Sequence, residues 1–267
     1  MDLKGKKIAV LGAGNLGIAI AQGIVEENLT EAKNIFLTRR HTEQIAHLAK
    51  DGFVLTSDNL EAVKASKIVM VCVQPKQLPA LIDEINPVLT ADHLLVSVIT
   101  GVSIAEIKEL LKIDCAVVRA MPNTAIAIGE SMTCICAPDH AEHGIAVQQI
   151  FNALGQTLLI EEKMMQAATV LGASGIAFFM RYLRAATQGG VQMGFHSEEA
   201  QLIAVQTAKG AASLILENQQ HPEVEIDKVT TPEGCTIAGL NEMEHQGLSS
   251  ALIKGLMVSY EKIKNIK

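Results

Sequence analysis

The chain has 267 residues and a formal net charge of −7; 49% of its residues are apolar, yet only 3% are aromatic and Trp is absent. That length exceeds the usual single domain and buries a large core, so the chain reads as a soluble enzyme of two parts. The charge leaves no electrostatic footprint for nucleic acid or an acidic membrane, and a core without Trp must rest on Ala, Val, Ile, Leu and Met.

The first seven residues lead directly into an apolar strand, leaving no room for a signal peptide, and a cytoplasmic protein is expected. That strand, Lys7-Ile8-Ala9-Val10-Leu11, runs into Gly12-Ala13-Gly14-Asn15-Leu16-Gly17 and then into a helical pattern, residues 18–25. Strand, G-x-G-x-x-G and helix in that order form a dinucleotide-binding fingerprint. Gly12 makes the tight turn, Gly14 lets a pyrophosphate approach the backbone, and Gly17 lets helix and strand pack closely. Unpaired N–H groups at the helix start then face the phosphates.

The second strand covers residues 34–37 and ends about 20 residues beyond Gly17, where an NAD enzyme places an acid on the ribose 2′-hydroxyl. No acid occurs between Asn34 and Thr42; the strand runs instead into Thr38-Arg39-Arg40. A hydroxyl and two guanidiniums suit a 2′-phosphate, so NADPH is favoured over NADH.

Further continuous apolar runs at residues 68–73, 94–99 and 116–121 read as buried parallel strands. Alternation with helical patterns predicts an α/β N-terminal Rossmann domain with a doubly wound, mostly parallel sheet. Its binding rim comprises the loops at 12–17, 38–40, 74–76, 100–101 and 121–124. Cys134 and Cys136, two apart in an extended run, are expected on one face of a strand as buried small hydrophobes. The five cysteines contain no C-x-x-C and no pairing with His, so no metal site is expected. His140, His143, His196 and His245 have no catalytic partner spacing and read as surface or structural residues.

From about Lys163 the pattern becomes helical, giving domains at 1–162 and 163–267, the second an all-α dimerisation domain. Residues 164–193 read as one long helix; the apolar stretch at 164–180 is too short and too broken to span a bilayer. Ser197 is expected to cap the next helix, with Glu198 and Glu199 in its first turn. Residues 200–216 are apolar almost all round, which calls for cover from a second subunit. The last helix, 249–264, carries Leu252, Ile253, Leu256, Tyr260 and Ile263 on one stripe.

The most suggestive late segment is Val229-Thr230-Thr231-Pro232-Glu233-Gly234-Cys235-Thr236. Thr231 before Pro232 reads as an N-cap before a first-turn proline. The N–H groups of Gly234, Cys235 and Thr236 would then form an anion site for a small carboxylate, with the Thr236 hydroxyl adding a hydrogen bond.

With the fingerprint, Val96-Ser97-Val98-Ile99-Thr100-Gly101-Val102, Arg119-Ala120-Met121-Pro122-Asn123-Thr124, Thr169-Val170-Leu171-Gly172-Ala173-Ser174-Gly175 and His221-Pro222, this late turn resembles the pyrroline-5-carboxylate reductase family over nearly the whole chain. The resemblance implies hydride transfer from NAD(P)H to the C=N bond of a cyclic imino acid, the last step of proline biosynthesis. It implies that the 231–236 turn, with Thr231, Gly234, Cys235 and Thr236, holds the substrate carboxylate, and that Thr236 lies beside the imine nitrogen as the catalytic residue. Asn59, Val73, Gln74, Pro75, Asn123 and residues 38–40 match positions near the cofactor, alongside Gly12, Gly14, Asn15, Leu16 and Gly17. Interlocked helical dimers are implied as well.

Three places depart from the family pattern: Gln74 stands where a Lys is usual, the segment Gly172-Ala173-Ser174-Gly175-Ile176-Ala177 where S-G-S-G-P-A is, and Glu233 where a glycine is. Two rivals stand beside this reading. One is a reductase of another imine or of a keto or hydroxy acid; many hydroxy-acid enzymes of this type need a Lys acid/base on such a helix, and residues 164–193 offer only Arg181 and Arg184. The other is a catalytically weak dinucleotide-binding protein.

Overall fold

The computed structural model describes residues 3–139 and 141–264; His140 lies outside the described residues. The chain divides into two compact units, Met1–Ser174 with Tyr260–Lys267, and Gly175–Ser259.

The first unit is built on an eight-stranded sheet. Its strands are β1 (Ile8–Leu11), β2 (Ile35–Thr38), β3 (Val54–Thr56), β4 (Ile68–Val71), β5 (Leu94–Ser97), β6 (Ala116–Met121), β7 (Ser131–Cys136) and β8 (Gly155–Leu159). They lie in the order β3-β2-β1-β4-β5-β6-β7-β8. All pairs are parallel except β6 with β7. The helices of this unit are α1 (Asn15–Glu26), α2 (Asn59–Ala65), α3 (Leu78–Ile85), α4 (Ile104–Leu110), α5 (Ala141–Asn152) and α6 (Met165–Ala168).

The continuous apolar runs follow from cover on both faces of the sheet. Every residue of β1, β2, β4, β5 and β6 is buried, and successive side chains enter opposite cores. Ile8, Val10, Ile35, Leu37, Met70 and Val96 pack with Ile20 and Ile24 of α1 and Val147, Ile150 and Phe151 of α5. Ala9, Leu11, Val69, Val71 and Leu95 pack with Val63 of α2, Leu78, Leu81, Ile82 and Ile85 of α3 and Ile107 of α4. Cys134 and Cys136 share the second core, both on β7. Burial pushes the Cys136 thiol up to about 11, so it stays protonated at neutral pH.

A partly buried ion pair ties the late part of this unit to the sheet. Arg119 on β6 has a nearly buried side chain, and its Nη1 donates to Oε1 of Glu162 at 2.9 Å. The same oxygen accepts the backbone N–H of Ile104, the first residue of α4, at 2.7 Å. Glu162 opens the helical run after β8, so a single carboxylate joins three elements.

That run is not the uninterrupted helix expected for 164–193. It consists of a 3₁₀ turn at Glu162–Met164, then α6, a π-helical turn at Thr169–Ser174, and α7 (Gly175–Gln192). Two hydrogen bonds hold the widened turn: the Thr169 hydroxyl donates to the Met165 carbonyl at 2.8 Å, and Nδ2 of Asn123 donates to the Gly172 carbonyl at 3.3 Å.

The second unit holds α7, α8 (Ser197–Asn218), α9 (Pro222–Val229), α10 (Cys235–His245) and most of α11 (Leu248–Lys264). His196, not Ser197, is the N-cap of α8, because Oε2 of Glu199 reaches back to the His196 N–H at 3.0 Å and Ser197 is already helical. Gly190 lets α7 approach α8, since a Cβ there would lie 2.7 Å from that of Ala200. Ala200 is the one buried residue of α8; Leu202, Ile203, Val205, Leu214 and Leu216 are all exposed.

Replacing Glu162 by Ala leaves the buried Arg119 guanidinium without its counter-ion and frees the Ile104 N–H. The expected cost is about 3 kcal/mol in denaturant unfolding. Glu162→Gln, which keeps an acceptor, costs less; equal stability of wild type and Glu162→Ala contradicts this role.

Candidate functional site

The glycine loop between β1 and α1 is shaped by what surrounds it. Gly12 has φ +96, and a Cβ there would lie 2.8 Å from both the Cys72 carbonyl oxygen and Cγ1 of Val73. A Cβ at Gly17 would lie 2.7 Å from the Gly12 carbonyl oxygen. Neither position accepts a side chain, whereas nothing lies within 4 Å of the Cβ position of Gly14. Gly14 is also the N-cap of α1, with no side chain to satisfy the first N–H groups and no acid in the first turn. The N–H groups of Asn15, Leu16 and Gly17 therefore present a positive dipole end over open space, as a pyrophosphate requires.

A cleft of about 630 Å³ opens beside this loop. Its lining comes from the segments after β1, β2, β3 and β4: Gly12, Ala13 and Gly14; Thr38, Arg39 and Arg40; Ser57 and Asn59; Cys72, Val73 and Gln74. Of the five rim loops expected, three line it; the loops at 100–101 and 121–124 do not.

The expected residues do different things within this space. Thr38 is buried and faces the loop, with its hydroxyl accepting the Gly12 N–H at 3.3 Å and its carbonyl the Ala13 N–H at 2.8 Å. Arg39 donates from Nη1 to the Ala13 carbonyl at 2.9 Å and from Nη2 to Oε1 of Gln44 at 2.6 Å. Both terminal nitrogens of Arg39 thus brace the protein, which leaves Arg40, exposed on the same wall, as the guanidinium turned to solvent. Asn59, the first residue of α2 after its Asp58 cap, donates to both carboxylate oxygens of Glu84. Gln74 caps the 3₁₀ turn Pro75–Gln77, where Pro75 serves the turn and does not line the cleft.

Asn123 is away from the cleft and nearly buried: its Oδ1 accepts the Ala125 N–H at 3.0 Å and its amide holds Gly172. Lys76, on the expected 74–76 rim, does line the cleft; His41, Gln44, Ser57, Gln77, Ala80, Leu81 and Glu84 were not expected there. Position just past a strand end was the available signal for His41 and Ser57; Ala80, Leu81 and Glu84 come from a helix face. Burial pushes the Cys72 thiol up to about 12, so this wall offers no thiolate.

In the second unit, residues 231–234 form a tight turn closed by the Gly234 N–H and the Thr231 carbonyl at 2.9 Å. Thr231 is therefore not the helix cap expected; Gly234 is the N-cap and α10 begins at Cys235. The Gly234 N–H is spent in the turn, so the free set moves on by one, to Cys235, Thr236 and Ile237. Glu233 takes the left-handed conformation, φ +59, at the position where a glycine would be unstrained. The turn geometry is thus kept without the glycine, and the Glu233 side chain is exposed. Gly234 is sterically required, since a Cβ there would lie 2.5 Å from Oγ1 of Thr231.

Residues 162–266 match the family model for pyrroline-5-carboxylate reductase dimerisation, and residues 7–101 the model for coenzyme F420-dependent NADP oxidoreductases. Pyrroline-5-carboxylate reductase 2 of Dictyostelium discoideum is 49% identical, with 98% of this chain and 93% of the relative covered. The chain belongs to the pyrroline-5-carboxylate reductase family. Pyrroline-5-carboxylate reductase 1 of the same organism is 48% identical across all of this chain, which spans 51% of that protein. Among solved structures, the Plasmodium falciparum pyrroline carboxylate reductase with NADP bound superposes with a TM-score of 0.89 at 25% identity, covering 97% of each chain. The Coxiella burnetii enzyme matches with the same TM-score and coverage at 26% identity. The chain is an oxidoreductase of this family, with a Rossmann unit and a helical dimerisation region. No described helix is long and apolar enough to cross a membrane.

The two arginines are expected to separate in binding assays. Arg39→Ala loosens the glycine loop and weakens NADPH and NADH together. Arg40→Ala weakens NADPH alone, by about tenfold. Titration of each variant by nicotinamide fluorescence checks this; selective loss of NADPH in Arg39→Ala would reverse the assignment.

Proposed function

We propose that the chain reduces 1-pyrroline-5-carboxylate to L-proline, with NADPH as the preferred reductant and NADH as a poorer one. The observation that carries the reading is the head of α10, where a capping glycine leaves three N–H groups beside a threonine hydroxyl. The N–H groups of Cys235, Thr236 and Ile237 take the substrate carboxylate, aided by the helix dipole. Thr231 and Gly234 shape the turn that aims them.

Thr236 is the catalytic residue. Its hydroxyl hydrogen-bonds the imine nitrogen and fixes the ring so that the neighbouring carbon faces the donor. When bound, the reduced nicotinamide supplies a hydride to that carbon. The C=N π pair moves onto nitrogen; a neutral imine then takes up one proton there, whereas an imine already protonated on nitrogen gives the neutral amine directly. A threonine hydroxyl is too weak an acid to supply the proton outright, so Thr236 orients a proton that water delivers.

Gly12, Gly14, Asn15, Leu16 and Gly17 hold the pyrophosphate, and Arg40 with Lys76 faces the adenosine phosphate. Asn59, Val73 and Gln74 complete the cleft, while Thr38, Arg39, Pro75 and Asn123 support it. In this reading residues 1–162 bind the dinucleotide and 163–267 carry substrate and dimerisation. The protein works in the cytoplasm, with all five cysteines as free thiols.

A second copy of the chain covers the exposed apolar side chains of α8, giving a homodimer or a multiple of it. Light scattering then returns at least twice the chain mass; a monomer at working concentration contradicts this.

Thr236→Ala is expected to lower turnover of pyrroline-5-carboxylate about a hundredfold while the NADPH dissociation constant stays unchanged. Reduction with cofactor deuterated at the transferable position places deuterium on the ring carbon next to nitrogen. Full turnover in Thr236→Ala, or proline without that deuterium, would sink the mechanism.

A further inference from the structure

The cleft in the first unit carries one charge that the binding of a doubly charged phosphate does not explain. Among its described lining residues Arg39, Arg40 and Lys76 are cationic, and Glu84 is the single acid. Glu84 lies on α3 and is exposed. Both of its oxygens are held by Nδ2 of Asn59, at 3.2 and 3.0 Å. That amide keeps the charge at the cleft wall and prevents it from sweeping through solvent.

The topology says which part of a dinucleotide meets this wall. Asn59 opens α2 just after β3, and β3 pairs with β2, whose end carries Arg39 and Arg40. In this fold the end of the second strand faces the adenosine ribose. Glu84 therefore stands on the ribose side of the cleft, away from the loops after β5 and β6.

NADPH and NADH differ there by a phosphate group of nearly two negative charges. A fixed carboxylate at this wall repels the added phosphate, a charge that NADH lacks, while Arg40 acts in the opposite sense. We infer that Glu84, pinned by Asn59, is a specificity-determining residue that holds down the preference for NADPH over NADH. Cofactor choice is then a balance between Arg40 with Lys76 and Glu84, which lets the protein use NADH as well. This inference rests on reading the cleft as the adenosine half of the NADPH site.

The test uses Glu84→Gln, which keeps an acceptor for Asn59 and removes only the charge. Dissociation constants for NADPH and NADH are measured by nicotinamide fluorescence, without substrate. NADPH is expected to bind about fivefold more tightly in low salt with NADH unchanged, an effect that shrinks as salt rises. Glu84→Lys moves the ratio further in the same direction. Equal shifts for both cofactors, or no shift in either variant, would overturn the role of Glu84. A wild type that binds neither cofactor would contradict the reading of the cleft itself. Failure to turn over pyrroline-5-carboxylate bears on neither binding result, and so separates this inference from the proposed reaction.

Discussion

The cofactor cleft depends on the end of β2 holding the glycine loop from the side. The Thr38 hydroxyl and carbonyl take the N–H groups of Gly12 and Ala13, and the Arg39 guanidinium takes the Ala13 carbonyl. These three bonds from the end of β2 fix a loop in which Gly12 and Gly17 have no room for a side chain. Fixing the loop also fixes the axis of α1, and so the direction in which its unpaired N–H groups point. A Rossmann loop needs this stiffness: phosphate recognition by backbone works only where the backbone does not move to meet the ligand.

Much of this was legible in the sequence because two-sided burial writes itself as uninterrupted apolar runs. The strands β1, β2, β4, β5 and β6 all show such runs and all are wholly buried. The strands β3 and β8 lie at the two edges of the sheet, are only partly buried, and carry no comparable signal. The π-helical turn at Thr169–Ser174 was invisible because an amide from Asn123, far away in sequence, takes part in holding it.

In the site, the three glycines were readable from spacing, whereas the partners of Arg39 and Asn59 were not. Gln44 and Glu84 reach the cleft through a 3₁₀ turn and a helix face, and nothing in their neighbours announces it. The start of α10 was misplaced because a Thr-Pro pair signals a cap and a tight turn equally well. Glu233 at positive φ decides for the turn. A residue that rarely adopts that conformation does so here because the Thr231 carbonyl and the Gly234 N–H close the loop around it.

The roles proposed for Thr236 and for the glycine loop both depend on one activity, the reduction of a cyclic imino acid by NADPH. The direct measurement is the steady-state oxidation of NADPH by the purified protein with pyrroline-5-carboxylate, with proline quantified as the product. Substrate-dependent oxidation is expected, with one proline formed for each NADPH consumed. A protein that binds NADPH tightly yet forms no proline would contradict it.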